Sequence, residues 1–173
     1  VHMGSRGLCR VKPVAAAADL RRRFPWAKSV IICARRYDRY NLPETLKGRF
    51  SRYYLFDARC NEAARDYQDA LAFARFLGDH GLRFAGGERG ELVMPGNRWA
   101  AMKAGLGLVR RNNFFYPENG SWLFLESWLI HRELELQEEP LATPCPEKYG
   151  KCRKARPTNA LPEPYVFALP SCV

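Results

Sequence analysis

The ten-residue run SWLFLESWLI, residues 121–130, most constrains what this chain can fold into. It is apolar and aromatic, yet far short of the roughly 18 residues that a membrane helix needs. No other apolar run approaches that length. It reads as a strand that something must cover. The run NNFFY (112–116) precedes it, with PENG (117–120) between. Two strand-like runs around a Pro/Asn/Gly turn predict a hairpin. KSVIICA (28–34) is a second strand of the buried kind, short, β-branched and flanked by charge. A long helix is expected from Asn61 to His80. There Ala64, Tyr67, Leu71, Ala74, Phe76 and Leu77 keep one apolar face, and Gly81 follows as a stop. GLCRVKPV (7–14) and LRFAGG (82–87) read as short strands, AAADLRRRF (16–24) and Asn97–Lys103 as short helices. Helices and strands mixed in this order give an α+β class.

The 173 residues, 47% of them apolar, suffice for one domain with a real core and a small appendage. The first five residues, Val1–Ser5, read as an expression-vector remnant and are set aside. A cofactor-binding α+β domain is expected over residues 6–138, with residues 139–173 as a cysteine-bearing tail. A net charge of +10 attracts phosphate, whether nucleic acid or an anionic cofactor tail. Its clusters (Arg21–Arg23, Arg35–Arg36, Arg110–Arg111, Lys151–Arg156) are scattered, so no single nucleic-acid stripe follows from spacing. No signal peptide or membrane span is recognisable. The six cysteines do not resemble a secreted disulfide scaffold, which points to a reducing, cytoplasmic setting. Cys33 lies in an apolar run and reads as core, while Cys9 and Cys60 lack partners at ligand spacing. Residues 37–60 are aromatic, basic and irregular, a long surface excursion in which Arg52, Tyr53 and Tyr54 stand together.

Two stretches carry chemistry. In AMKAGLGLVRRNNFFYPENGSWLFLE, Gly105 and Gly107 bracket one residue, and Arg110 and Arg111 follow. Such a pair lets a ligand approach the backbone. It also serves, more commonly, as a helix cap and strand entry. In CPEKYGKCRKARPTNAL, Cys145 and Cys152 precede Arg156-Pro157-Thr158, where iron–sulfur proteins carry cysteines in the form C-x2-C-x2-C-x3-C-P. Counted back from Pro157, Arg156 and Tyr149 stand at cysteine positions.

KAGLGLVRRNNFFYPENGSWLFLESWLI followed by GKCRKARPTNALPEPYVFALPSC resembles the epoxyqueuosine reductase family, with its relatives described as double 4Fe-4S cluster proteins. FPWAKSVIICARRY and SRYYLFDARCNEAARDY fall in family order, so the resemblance covers about residues 25–172. It implies a nitroreductase-like α+β cofactor domain, followed by a ferredoxin-like segment that is incomplete here. The cofactor would be cobalamin or another corrinoid, less readily a flavin, fed by two 4Fe-4S clusters. By position, Ala104, Gly105, Leu106 and Gly107 match the family's glycine loop and Asn112 its asparagine. Gly120, Ser121 and Trp122 match the neighbouring strand, and Arg110 is the further contact candidate. Cys145, Cys152 and Cys172 are the retained metal-ligand candidates.

The departures are equally specific. Arg110 and Arg111 replace a glycine and a lysine, and the acid of an upstream Asp-Thr-x-Pro segment is missing, the stretch reading Leu92-Val93-Met94-Pro95. Tyr149 and Arg156 in place of cysteines deprive each of two clusters of a ligand, so an empty cluster segment is expected. His131 is the only nearby histidine for a zinc alternative, and it reads as part of the strand. The first functional expectation is therefore a cytoplasmic redox protein of this kind, with degenerate iron–sulfur ligation. The alternative is a non-enzymatic basic module for tRNA-like nucleic acid or another anionic ligand. A homodimer is a further expectation from the fold, and the sequence names no electron donor.

Overall fold

A computed structural model describes residues 20–55, 61–87, 96–118, 120–135, 145–146, 148–168 and 171. The expected strand at 7–14, Cys9, Cys60, the 92–95 stretch and Cys172 lie outside the described residues. The described residues divide into two compact units. One comprises those of 20–97 and 122–135, the other those of 98–121 and 145–171.

The first unit is a sheet with a helix on one face. It opens with α1 (Leu20–Arg23), then β1 (Ser29–Arg36). Two short 3-10 turns, Glu44–Leu46 and Arg52–Leu55, lie within the excursion that follows. Next come α2 (Arg65–Asp79) and β2 (Phe84–Gly86). The SWLFLESWLI run supplies the central strand, Leu123–Ile130, which is β5 in chain order. The sheet order is β1-β5-β2, antiparallel throughout, with Ile31 opposite Trp128, Cys33 opposite Glu126 and Phe84 opposite Ile130. Opposed residues share a face, so Ile31, Cys33, Arg35, Phe124, Glu126, Trp128 and Ile130 all point one way. The apolar stripe of α2 covers that face. Ala70, Leu77, Trp128 and Ile130 form its buried centre, with Ile31, Cys33, Phe73, Ala74, Leu82 and Phe84 packed around it. Cys33 is thus a core residue, as its sequence context suggests.

The second unit contains α3 (Asn97–Lys103, from Arg98 onward), β3 (Leu108–Val109), β4 (Phe115–Tyr116) and α4 (Lys151–Lys154). Among its described residues, the buried apolar ones are Ala100, Ala101, Leu108, Phe115, Ala160 and Leu161. Here the hairpin expectation is corrected. Phe115–Tyr116 pairs with Leu108–Val109, not with the following run, and β5 instead pairs with β1 and β2. The segment 117–120 joins two aromatic runs, which is the sequence pattern of a hairpin loop. Strand pairing is decided by which apolar faces meet, and the 86 residues between the end of β1 and the start of β5 do not prevent it.

Candidate functional site

The glycine loop lies in the second unit, and its backbone geometry is fully accounted for by the fold. Helix α3 ends in a left-handed glycine cap: Gly105 sits at φ +74°, its N–H reaches the Met102 carbonyl (3.2 Å), and the Leu106 N–H reaches that of Ala101 (3.0 Å). Those paired bonds are the Schellman arrangement that closes a helix. Ala104 belongs to the same closing turn, its N–H donating to the Ala100 carbonyl at 2.8 Å. Gly107 is buried because β3 and β4 converge there. A methyl group on it would lie 2.5 Å from the Tyr116 carbonyl oxygen and 2.7 Å from Pro117 Cα. The space on the side-chain face of Gly107 is therefore filled by the chain itself.

The remaining loop candidates serve the β3–β4 turn. Arg110 donates its N–H to the Phe114 carbonyl (3.0 Å) and accepts from Asn113 (2.8 Å), with Asn113 in the left-handed region at φ +66°. Asn112 accepts the Phe114 N–H at 3.2 Å and donates to the Tyr116 hydroxyl at 2.8 Å. The Arg110 guanidinium lies over the Tyr116 ring, 4.8 Å from its centroid. Leu106 and Gly120 are exposed, and Ser121 is half-buried. Trp122 belongs to the first unit.

Two of the three metal-ligand candidates, Cys145 and Cys152, are among the described residues. Cys145 and Cys152 are free thiols, Tyr149 is exposed, and among the described residues no three of His, Cys, Asp and Glu converge to hold an ion. A four-iron cluster needs four ligands, and the described part of this segment supplies two thiols toward it. Arginine occupies the turn instead. Arg153 Nε donates to the Leu161 carbonyl at 3.1 Å, and its Nη2 to that of Pro162.

In the first unit, the sheet face covered by α2 continues past the helix and becomes polar, then aromatic. At its middle, Arg35 Nε donates to Glu126 Oε2 at 2.7 Å, and Arg35 Nη1 faces Asp69 at 3.8 Å. Asp66, 1% exposed in the first turn of α2, accepts from the Arg39 guanidinium and from the Tyr40 hydroxyl. These groups border an open cavity of about 360 Å³ lined by Cys33, Arg35, Arg36, Arg39, Asp66, Asp69 and Phe73 among others. Its guanidiniums are matched by carboxylates, since Arg36 also pairs with Asp38. The cavity thus carries little net field toward an anion. Burial pushes the Cys33 thiol up, with the Glu126 carboxylate adding and Arg35 opposing. Burial likewise raises the Tyr40 phenol, reinforced by its bond to Asp66. Asp38 is held below the usual carboxylate range, first by its hydrogen bond from Arg36.

Beyond this cavity lies an aromatic face. Tyr37 meets Tyr53 and Trp122 edge-on, each at 5.9 Å between centroids. Tyr53 continues to Tyr54 (6.0 Å) and Phe124 (6.1 Å), and Tyr54 to Phe50 (6.5 Å). These rings are not core: Tyr54 is 72% exposed, Phe50 54% and Trp122 51%. Arg52 lies over the Trp122 ring at 5.8 Å and donates to the Asp38 carbonyl at 3.2 Å. Neither Arg49 nor Arg52 has a carboxylate partner among the described residues, whereas Lys47 pairs with Glu44. The Arg52-Tyr53-Tyr54 cluster was visible in the sequence; its union with Tyr37, Phe50 and Trp122 was not.

No family model matches the sequence, and no curated protein matches it. Solved structures do. Epoxyqueuosine reductase from Bacillus subtilis aligns over 88% of this chain at 22% identity and a TM-score of 0.56. An epoxyqueuosine reductase crystallised with an epoxyqueuosine-modified tRNA-Tyr stem loop aligns over 97% at 18% identity and 0.57. The enzyme from Streptococcus thermophilus aligns over 92% at 17% and 0.56. The fold is that of epoxyqueuosine reductase. The chain spans 41–48% of the length of these neighbours. Among the described residues, no helix is long and apolar enough to cross a membrane.

Proposed function

We propose that this chain is a nucleic-acid-binding module of epoxyqueuosine reductase fold, taking tRNA-like RNA through the aromatic face of its first unit. The observation that carries the reading is the run of exposed rings from Trp122 and Tyr37 through Tyr53 and Tyr54 to Phe50, flanked by Arg49 and Arg52. Aromatic faces stack on unpaired bases, and arginines beside them meet the phosphates. A protein of +10 brings such a partner in by its long-range field. The RNA-bound neighbour supports RNA as the partner class.

The test is fluorescence anisotropy of a labelled tRNA stem loop titrated with the protein at rising salt. Affinity is expected to fall steeply with salt, and Tyr54→Ala to weaken binding about tenfold, the size of one lost base stack. Arg49→Ala should instead lower the salt slope by about one unit. Salt-insensitive binding, or Tyr54→Ala equal to wild type, defeats the proposal.

A second reading, a corrinoid-binding redox domain, draws on the fold alone. The enclosed Gly107 counts against the glycine loop as its cradle. A spectral shift of added cobalamin, lost in Trp122→Ala, would restore it.

A further inference from the structure

We infer that the C-terminal segment, in the place where the family resemblance puts iron–sulfur ligands, is a metal-independent structural element stapled by two arginines. Its two turns need an organiser, because the interior here is only a few residues deep. Cys145 and Cys152 stand on either side of a turn whose intervening residue, Tyr149, turns its ring to solvent. What gathers the chain is hydrogen bonding to backbone carbonyls.

Arg153, on α4, spans two consecutive carbonyls, those of Leu161 and Pro162, with its Nε and Nη2. A planar guanidinium is suited to that task, and a lysine is not. The bond ties α4 to the one apolar plug of the segment, Ala160 and Leu161, which are 0% and 1% exposed. The Ala168 N–H then returns to the Ala160 carbonyl at 2.9 Å, closing the last turn. Arg111, from the β3–β4 turn, makes the second staple. Its Nη1 donates to the Tyr149 carbonyl at 3.3 Å, while its own carbonyl accepts the Tyr165 N–H at 3.0 Å. Three passes of chain are thus fixed to one another by Arg111 and Arg153. The two residues stand beside positions where the resemblance leads one to expect cluster ligands, and they do the gathering that metal ligation would do.

Hydrogen–deuterium exchange on the full chain tests this, read at the amides of residues 160–168. Arg153→Ala is expected to speed exchange there at least about tenfold, since it removes two charge-assisted hydrogen bonds at once. Arg153→Lys should recover little of the loss. The double variant Cys145→Ser/Cys152→Ser should exchange like wild type. Anaerobic addition of ferrous iron and sulfide to wild type should leave both protection and iron content unchanged. The inference is overturned if the cysteine variant opens the segment as much as Arg153→Ala does. About four irons retained per chain, with new protection at 160–168, overturns it as well. Should Arg153→Ala fail to fold, the cysteine variant and the iron addition decide the matter alone.

Discussion

The two units solve the same problem, burying enough chain to stay folded, with different means. The first has a three-stranded sheet and a 15-residue helix, and can enclose Trp128, Leu77, Leu129 and Ile130 almost completely. With that interior it also tolerates buried charge, in Asp66 and Glu126, and leaves a row of aromatic rings outside. The described part of the second has two-residue strands and two short helices, α3 and α4, and uses glycine geometry and arginine–carbonyl bonds. The difference teaches where ligand chemistry is to be sought. In the second unit, Gly105 closes helix α3 and Asn112 holds the β3–β4 turn, roles that need no ligand. In the first, the aromatic residues exceed what the fold uses.

The largest effect expected from this contrast is at Trp128, fully buried between Phe73 and Phe84. Trp128→Ala should cost about 3–5 kcal/mol in urea unfolding, more than any single substitution in the second unit. A cost below about 1 kcal/mol would mean that the sheet–helix interface is not the main store of stability. Next in size is Arg35→Ala, which leaves Glu126 buried without its 2.7 Å partner. Removing one member of a buried pair costs about 3 kcal/mol. The double variant Arg35→Met/Glu126→Leu should return most of that loss, because neither charge then needs water. If the double variant is as unstable as the single one, packing at Arg35 matters rather than its charge.

Legibility from sequence divides along the same line. Helices α2 and α3 were readable because periodicity and a following glycine are local signals, and α3 occupies the expected Asn97–Lys103. β1 and β2 were readable as short apolar runs between charges or turns. The partner of β5 was not, since register is set by faces that meet only in the folded chain. Glu126 carries a signal in the sequence: one carboxylate inside LFLESWLI must find a cation, and CARR in β1 supplies it. The aromatic face depends on how residues 37–55 lay Tyr37, Phe50, Tyr53 and Tyr54 against β5, which spacing does not encode. At Gly105 the helix-cap alternative describes the geometry, with a left-handed backbone and paired closing bonds.

A smaller effect probes the glycines directly. Gly107→Ala should destabilise by about 2 kcal/mol through its collision with the Tyr116–Pro117 backbone. Gly105→Ala should cost about 1 kcal/mol, the strain of a left-handed residue. Hydrogen exchange should place both losses at α3 and the β3–β4 turn. Variants that lower cobalamin affinity with unchanged stability would contradict the structural account and restore the cofactor loop.

The smallest expected effect is a pH dependence peculiar to the first unit's polar interior. The Cys33 thiol is raised from its ordinary value of 9.0, chiefly by burial and then by Glu126 opposite it, with Arg35 opposing. A raised value in the fold means that the unfolded chain loses this proton first as pH climbs. The stabilisation is therefore complete below about pH 9 and lost above it, as pH rises toward the folded value. Urea unfolding between pH 7 and pH 9.5 should show stability falling at the alkaline end, by less than about 1 kcal/mol. Cys33→Ala should flatten that fall while paying a constant packing loss at every pH. Tyr37 and Tyr40 are raised too, but their windows begin at about pH 10, above this range. An identical alkaline fall in Cys33→Ala would assign the slope elsewhere, and the thiol would then count only as filling beside Phe73 and Trp128.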